Sequence, residues 1–416
     1  MGGSAFSSGE DALLTPRMPP PVYRAVRAHC HAVLARLFHT VASPLDGPDK
    51  ADYGDVDMVV ARPKMMMEEE GGGGGGDDGG GLDGVVAAFG GVRRAMVHRR
   101  CLNLALPWPA SFSHHHHQSE GERERFVQVD VCLCASDDDL RWMLFRHAHG
   151  DLGSILGSII HPYGLTMTED GLYLRIGEME RSNRRRARVL VSKDPDVTLD
   201  LLSLPIARFW SGPFDEADDM YEFAAQCPMF SLSAQDDDDD DDDDDDGDKA
   251  PRNNAAYRRR IRRRPVFRRW VDDFQPRCRR HGRFLQPRTS RERVTADILT
   301  RFPDTRAEFH SRRTAFLRQR QEASIRQHLI VVVAAEQQQQ QQSMLSPRLM
   351  PTYRACLIKA LASVVFHADE TFPVTLPEEG FVGPDGLYVM DRVLAFLQHQ
   401  SAAVGSAAWE RHHRGR

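Results

Sequence analysis

Asp52-Tyr53-Gly54-Asp55-Val56-Asp57-Met58-Val59-Val60 is the stretch on which the fold turns. It reads as a turn opening into a strand, where side chains alternate between the two faces. Asp55 and Asp57 therefore share one face, while Val56 and Met58 point into the fold. Further along, Phe126-Val127-Gln128-Val129-Asp130-Val131 supplies a second apolar strand with one carboxylate inside it. If Asp130 lies beside the first pair, each like-charge contact at ~4 Å costs ~4 kcal/mol at an effective dielectric of 20. Three carboxylates placed so form a cation trap, and a divalent metal is the natural counter-ion. A carboxylate between Val129 and Val131 is costly without one.

These segments resemble the nucleotidyltransferase superfamily, the DNA polymerase β-like group that joins a nucleoside phosphate to an acceptor. The family pattern is a helix ending in a Gly-Ser turn, then Gly-Asp-x-Asp opening a strand, then a third Asp within an apolar strand. Here Pro21 to His39 has helical spacing through Val22, Val26, Val33, Leu34, Leu37 and Phe38. The turn reads Thr40-Val41-Ala42-Ser43-Pro44, with Ala42 where the family has Gly. Asp151 to Leu165 followed by Gly171 to Ile176 also looks like members of this superfamily, so the resemblance covers roughly residues 20 to 230.

The resemblance implies an α/β fold, with a nucleotidyltransferase-like mixed sheet bearing the triad, flanking helices, and a mainly helical C-terminal region. It also implies two-metal phosphoryl transfer from an NTP. Asp55, Asp57 and Asp130 are the catalytic and metal-binding residues, the first two bridging both ions and Asp130 sharing one of them. Mg²⁺ (or Mn²⁺) suits an all-oxygen ligand set. Ser43, Gly54 and Lys50 form the nucleotide-binding set. Ser43 donates to a phosphate oxygen beside turn amides, and Lys50, with Arg62 and Lys64 flanking, meets the triphosphate charge.

The chain has 416 residues, is 41% hydrophobic and carries a net charge of −6, which allows two to three domains. That charge averages an eleven-residue Asp run, Asp236 to Asp246, against a dense Arg region after it, so it says little about partners. Seven scattered cysteines (30, 101, 132, 134, 227, 278 and 356) without a C-x-x-C pair point to a reducing, intracellular compartment, nucleus or cytoplasm. Cys132 and Cys134 read as buried thiols. No apolar run approaches the ~20 residues that span a bilayer, the longest being Leu329 to Ala335.

Composition divides the chain into a disordered N-terminus (1–18), the nucleotidyltransferase-like domain (19–232), an acidic disordered linker (233–256) and a basic, mainly helical region (257–416). Flexible insertions fall near 65–90, which is rich in Gly, and 110–122, which holds His114 to His117. Arg93 to Leu106 reads as one long strand. Asp137 to His147 and Leu152 to Ile160 read as helices, and Leu172 to Ile176 with Ala187 to Val191 as a hairpin.

Eight Arg lie in the twelve residues from Arg258 to Arg269: Arg258, Arg259, Arg260, Arg262, Arg263, Arg264, Arg268 and Arg269. With Tyr257, Phe267 and Trp270 interleaved, they fit RNA backbone pairing and base stacking, and equally a nuclear-import patch or a solvated helix face. The function read from the chain is metal-dependent transfer of a nucleoside monophosphate to a hydroxyl acceptor, RNA among the candidates. A catalytically degenerate binding module of the same fold is the alternative. A D-x-D glycosyltransferase is disfavoured because it leaves Asp130 unexplained.

Overall fold

A computed structural model describes residues 3–9, 11–64, 80–98, 101–112, 124–232, 264–340 and 349–414. The chain forms two compact units, residues 1–175 with 190–301 and residues 176–189 with 302–416. The division does not follow the acidic run: residues 264–301 fold with the first unit, which corrects the boundary drawn from composition.

The first unit is built on a five-stranded mixed sheet of β1 (Phe38–Ala42), β2 (Asp55–Pro63), β3 (Arg94–His98), β4 (Cys101–Pro107) and β5 (Phe126–Cys134), in the order β1-β2-β5-β4-β3. β2 and β5 are parallel and every other pairing is antiparallel. Helix α1 (Pro20–Leu37) and helix α2 (Gly80–Phe89) cover one face. Val22, Val26, Cys30, Val33 and Leu34 of α1, with Val85 and Phe89 of α2, bury against Val56, Met58, Leu102, Leu104, Val129 and Val131. Each strand thus turns its alternate apolar positions to these helices.

On the opposite face, helix α3 (Asp137–His147) places Leu140 against Val59, Ala61 and Cys134. Its cap is Ser136, whose hydroxyl accepts from the Asp139 amide. Helix α4 (Leu152–Ile160) follows, and both helices run over the residues that periodicity gives them. Strands β6 (Leu165–Thr168), β7 (Gly171–Arg175) and β8 (Arg188–Ser192) form a small sheet in that order.

Several expectations are corrected. Arg93 to Leu106 is not one strand but the hairpin β3–β4, with His98 opposite Cys101. Its tight return hardly interrupts the alternation, so the sequence hides the break. β7 is the central strand, in a hairpin with β6 and beside β8 as expected, but short helices Gly177–Glu180 and Arg184–Ala187 take the place of a tight turn between β7 and β8. The insertion near 65–90 ends earlier than composition implies, since Gly80–Phe89 is α2 and seats Val85 in the core. Ala110–Phe112 is a short 3₁₀ turn packed on that core, while residues 65–79 and 113–123, His114 to His117 among them, lie outside the described residues. The linker at 233–256 lies outside them too.

Residues 3–9 and 11–18 are ordered, which corrects the disordered N-terminus expected from composition. Phe6 is fully buried between Ala105 and Phe126. The Leu13 amide donates to Phe6 O at 2.8 Å, the Phe126 amide to Leu14 O at 2.9 Å, and Met18 bridges Tyr53. One large side chain and a few backbone bonds hold a segment whose composition alone cannot bury surface.

The second unit packs helix Pro303–Gln340 with helices Met350–His367 and Met390–Arg414. Its core joins Ile325, Leu329 and Val333 to Leu357, Leu361, Val364, Val393, Leu397 and Val404. No described helix is long and apolar enough to cross a membrane.

Candidate metal centre

The parallel register of β2 and β5 decides the site: Asp55 lies across from Gln128 and Asp57 across from Asp130. Because both strands keep the same pleat, the three carboxylates emerge on one face, and an oxygen from each lies within 4.8 Å of the others. The sequence expectation that Asp55, Asp57 and Asp130 meet is therefore realised in the geometry. Val56 and Met58 are fully buried on the other face.

The three acids resist ionising together. The Asp57 carboxyl is pushed up to about 7, first by the protein atoms crowding it, then by the charges of Asp55 and Asp130. Asp57 also retains water-accessible surface, so solvent screens part of this rise. Burial likewise raises Asp55, while Lys50 opposes the rise in both. Asp130 is raised by burial and held back by hydrogen bonds from Asn103 and Gln128. Such a set gains most from a multivalent cation.

Lys50 stands over the Tyr53 ring at 5.1 Å, close enough for its charge to bear on the acids. Gly54 is buried under the N-terminal segment, where Gly3, at φ +90°, leaves no room for a Cβ against the Gly54 carbonyl. The turn is built differently from the family pattern. Ala42 is the last residue of β1 and pairs with Val59, and the Ser43 hydroxyl donates to the Met58 sulfur at 3.2 Å.

Arg258, Arg259, Arg260, Arg262 and Arg263 lie outside the described residues. Arg264 pairs with Asp151 at 4.0 Å and hydrogen-bonds Ser154, and Arg269 pairs with Asp49 at 2.9 Å. Arg268 is exposed. Phe267 and Trp270 do not form a stacking platform. Both are buried, with Trp270 against Phe274, Tyr221 and Phe230 at ring separations of 4.9, 5.6 and 4.9 Å. The apolar positions 267, 270 and 274 form a helical stripe that the surrounding Arg residues obscure.

The cysteines also depart from expectation. Cys132 is not a free thiol, since β4 and β5 set it directly across from Cys101, to which it is joined by a disulfide. Cys134 remains a buried free thiol.

Three residues in contact with the site escape sequence reasoning. Asn103 Nδ2 donates to Asp130 Oδ1 at 2.5 Å, and Gln128 Nε2 donates to Asp130 Oδ1 and Oδ2 at 2.9 and 3.1 Å. Gly3 donates its backbone N–H to Asp55. Polar residues inside apolar strands are the signal for the first two.

No family model matches the chain, and no curated protein matches it. Among solved structures it is similar to the Leishmania infantum polymerase beta ternary P/T complex, at 15% identity and TM-score 0.33, over 47% of this chain and 76% of that one. The ternary gap complex of that polymerase aligns at 15% identity and TM-score 0.32, over 46% and 69%. Superposition at this level carries no functional argument, which rests on the side chains.

Proposed function

We propose that the chain is a metal-dependent nucleotidyltransferase, moving a nucleoside monophosphate from an NTP to a hydroxyl acceptor on a nucleic acid. The observation that carries the reading is the convergence of Asp55, Asp57 and Asp130, with carboxylate oxygens within 4.8 Å on one sheet face. The donor set fits Mg²⁺ or Mn²⁺, being all carboxylate and held on rigid strands. When bound, the metal neutralises phosphate charge and acidifies a hydroxyl.

The chain's own residues orient the reactants. Asp55 and Asp57 present adjacent acceptors from β2, and Asp130 presents a third from β5. Lys50 adds positive charge where triphosphate would lie, and the Arg block is available to an acceptor's phosphates through the exposed Arg268. RNA is the acceptor we favour, on that block's composition.

NTP binding by calorimetry, with and without Mg²⁺, tests the reading, followed by transfer of a labelled nucleotide to an oligonucleotide. Metal-dependent binding and transfer support it. The placement of Ala42 in a strand and the turning of Ser43 toward Met58 favour a second reading, a binding module of the same fold without turnover. An absence of NTP binding in Mg²⁺ selects that one.

A further inference from the structure

We propose that Gln128 is a positioning residue of the acidic site and that the N-terminal segment sets its orientation; this rests on the metal-dependent reading above. Gln128 is buried, with 3% of its surface exposed, and its place on β5 is opposite Asp55 on one side and Ala105 on the other. A carboxamide has two chemically opposite ends, Oε1 accepting and Nε2 donating. The Ala5 amide, which can only donate, lies 3.0 Å from Oε1. That contact assigns the acceptor end to the N-terminal segment and leaves Nε2 to face Asp130, where it reaches both carboxylate oxygens. A flipped amide would set Oε1 against the carboxylate and leave the Ala5 N–H facing another donor.

Two neutral amides, from Gln128 and Asn103, thus fix the Asp130 carboxyl without cancelling its charge. A guanidinium or ammonium in the same place would orient it equally well but would compete with a cation for it. The carboxylate therefore stays a full ligand in a preset rotamer. Ala5 is itself held firmly, because Phe6 beside it is the buried anchor and Thr15 Oγ1 donates to Gly3 O at 3.2 Å. One backbone amide in the N-terminal segment consequently reaches the third acid through a single side chain.

Manganese binding tests this with the full chain and Mn²⁺ as the probe, read by calorimetry and by the Mn²⁺ electron-spin signal. Gln128→Met keeps length and apolar fit while removing both ends of the amide. It is expected to weaken Mn²⁺ at least ~10-fold, as loss of an outer partner of a ligand does. Ala5→Pro removes the N–H that faces Oε1 and is expected to weaken Mn²⁺ in the wild-type background yet add nothing in the Gln128→Met background. A purely structural role would make the two effects add. Should Gln128→Met fail to fold, Gln128→Asn, too short to reach both Ala5 and Asp130, carries the same expectation. Isotherms of the Gln128 variant that overlay those of wild type, or additive effects in the double variant, overturn the inference alone. A wild-type chain that binds no Mn²⁺ overturns the metal reading and this inference with it.

Discussion

Replacing Asp57 with Asn should stabilise the metal-free protein at alkaline pH and destabilise the metal-loaded one. The folded-state pKa of Asp57 is about 7 against an ordinary 3.8, so this group favours the folded chain fully below about pH 4, and that contribution is lost as pH rises through 7. At ~1.4 kcal/mol per unit, the ceiling on the loss is ~4 kcal/mol. Because Asp57 keeps exposed surface, solvent screening reduces this to ~1–2 kcal/mol. Asn keeps the size and removes the charge, so Asp57→Asn should gain that ~1–2 kcal/mol at pH 8 to 9 without metal, or roughly 2–4 °C in Tm per kcal/mol. At or below about pH 4 the carboxyl is protonated in the folded chain and largely so in the unfolded one, and the two proteins should melt nearly together. Taking the difference between variant and wild type cancels other titrating groups, His149 among them.

Saturating Mn²⁺ should reverse the order, since a ligand at 100 times its Kd adds ~2.7 kcal/mol to a chain that binds it and nothing to one that does not. Calorimetric scans of both proteins at pH 4, 7 and 8.5, in EDTA and in Mn²⁺, supply the measurement. A variant less stable than wild type in EDTA at pH 8.5, or a difference that does not change with pH, would refute the account of crowded carboxylates.

His149 is fully buried with its pKa lowered to about 4 by burial, so the unfolded chain takes up its proton first and stability should fall between about pH 6.5 and 4, by ~3 kcal/mol at most. Urea titrations across that range check it, and His149→Phe should flatten the acid limb. Phe6→Ala should cost ~3 kcal/mol and expose the N-terminal segment to limited proteolysis, because Phe6 has no accessible surface; unchanged protease sensitivity would count against the anchor. Trp270→Ala should cost ~3–5 kcal/mol in denaturant midpoints, and the folded fraction should keep wild-type affinity for single-stranded RNA, since the ring is buried away from any base. Ala42→Gly should loosen β1 by ~0.5–1 kcal/mol without tightening NTP binding, because position 42 is a strand residue paired with Val59 rather than a turn.

The acidic strands were legible because a period of two survives in Asp55-Val-Asp57-Met and in Val129-Asp130-Val131, and α3 and α4 because their apolar spacing and flanking breakers agree. What the sequence hid has physical causes. A tight return through His98 and Cys101 leaves alternation almost unbroken, so β3 and β4 read as one strand. Residues 3–18 look disordered by composition, yet a single phenyl ring and backbone bonds to Tyr53 and Phe126 suffice to order them. Positive charge around Phe267, Trp270 and Phe274 masks a stripe of core aromatics. Gln128 stands two residues before Asp130, visible on the same strand face, but its link to Ala5 depends on contacts between residues far apart in the chain.

The seven cross-strand pairs from Asp55↔Gln128 to Ala61↔Cys134 determine where the acids meet, whatever the length of chain between them. Residues 65–79 and 113–123 both fall within that intervening stretch, and they hold its glycine and histidine tracts. Replication slippage that lengthens or shortens either tract therefore alters loop size at small entropic cost and leaves the triad in register. A single-residue insertion within Val127 to Val131 is another matter, for it would turn Asp130 to the face that α1 covers. Heritable length variation should be frequent in the tracts and absent from the strand.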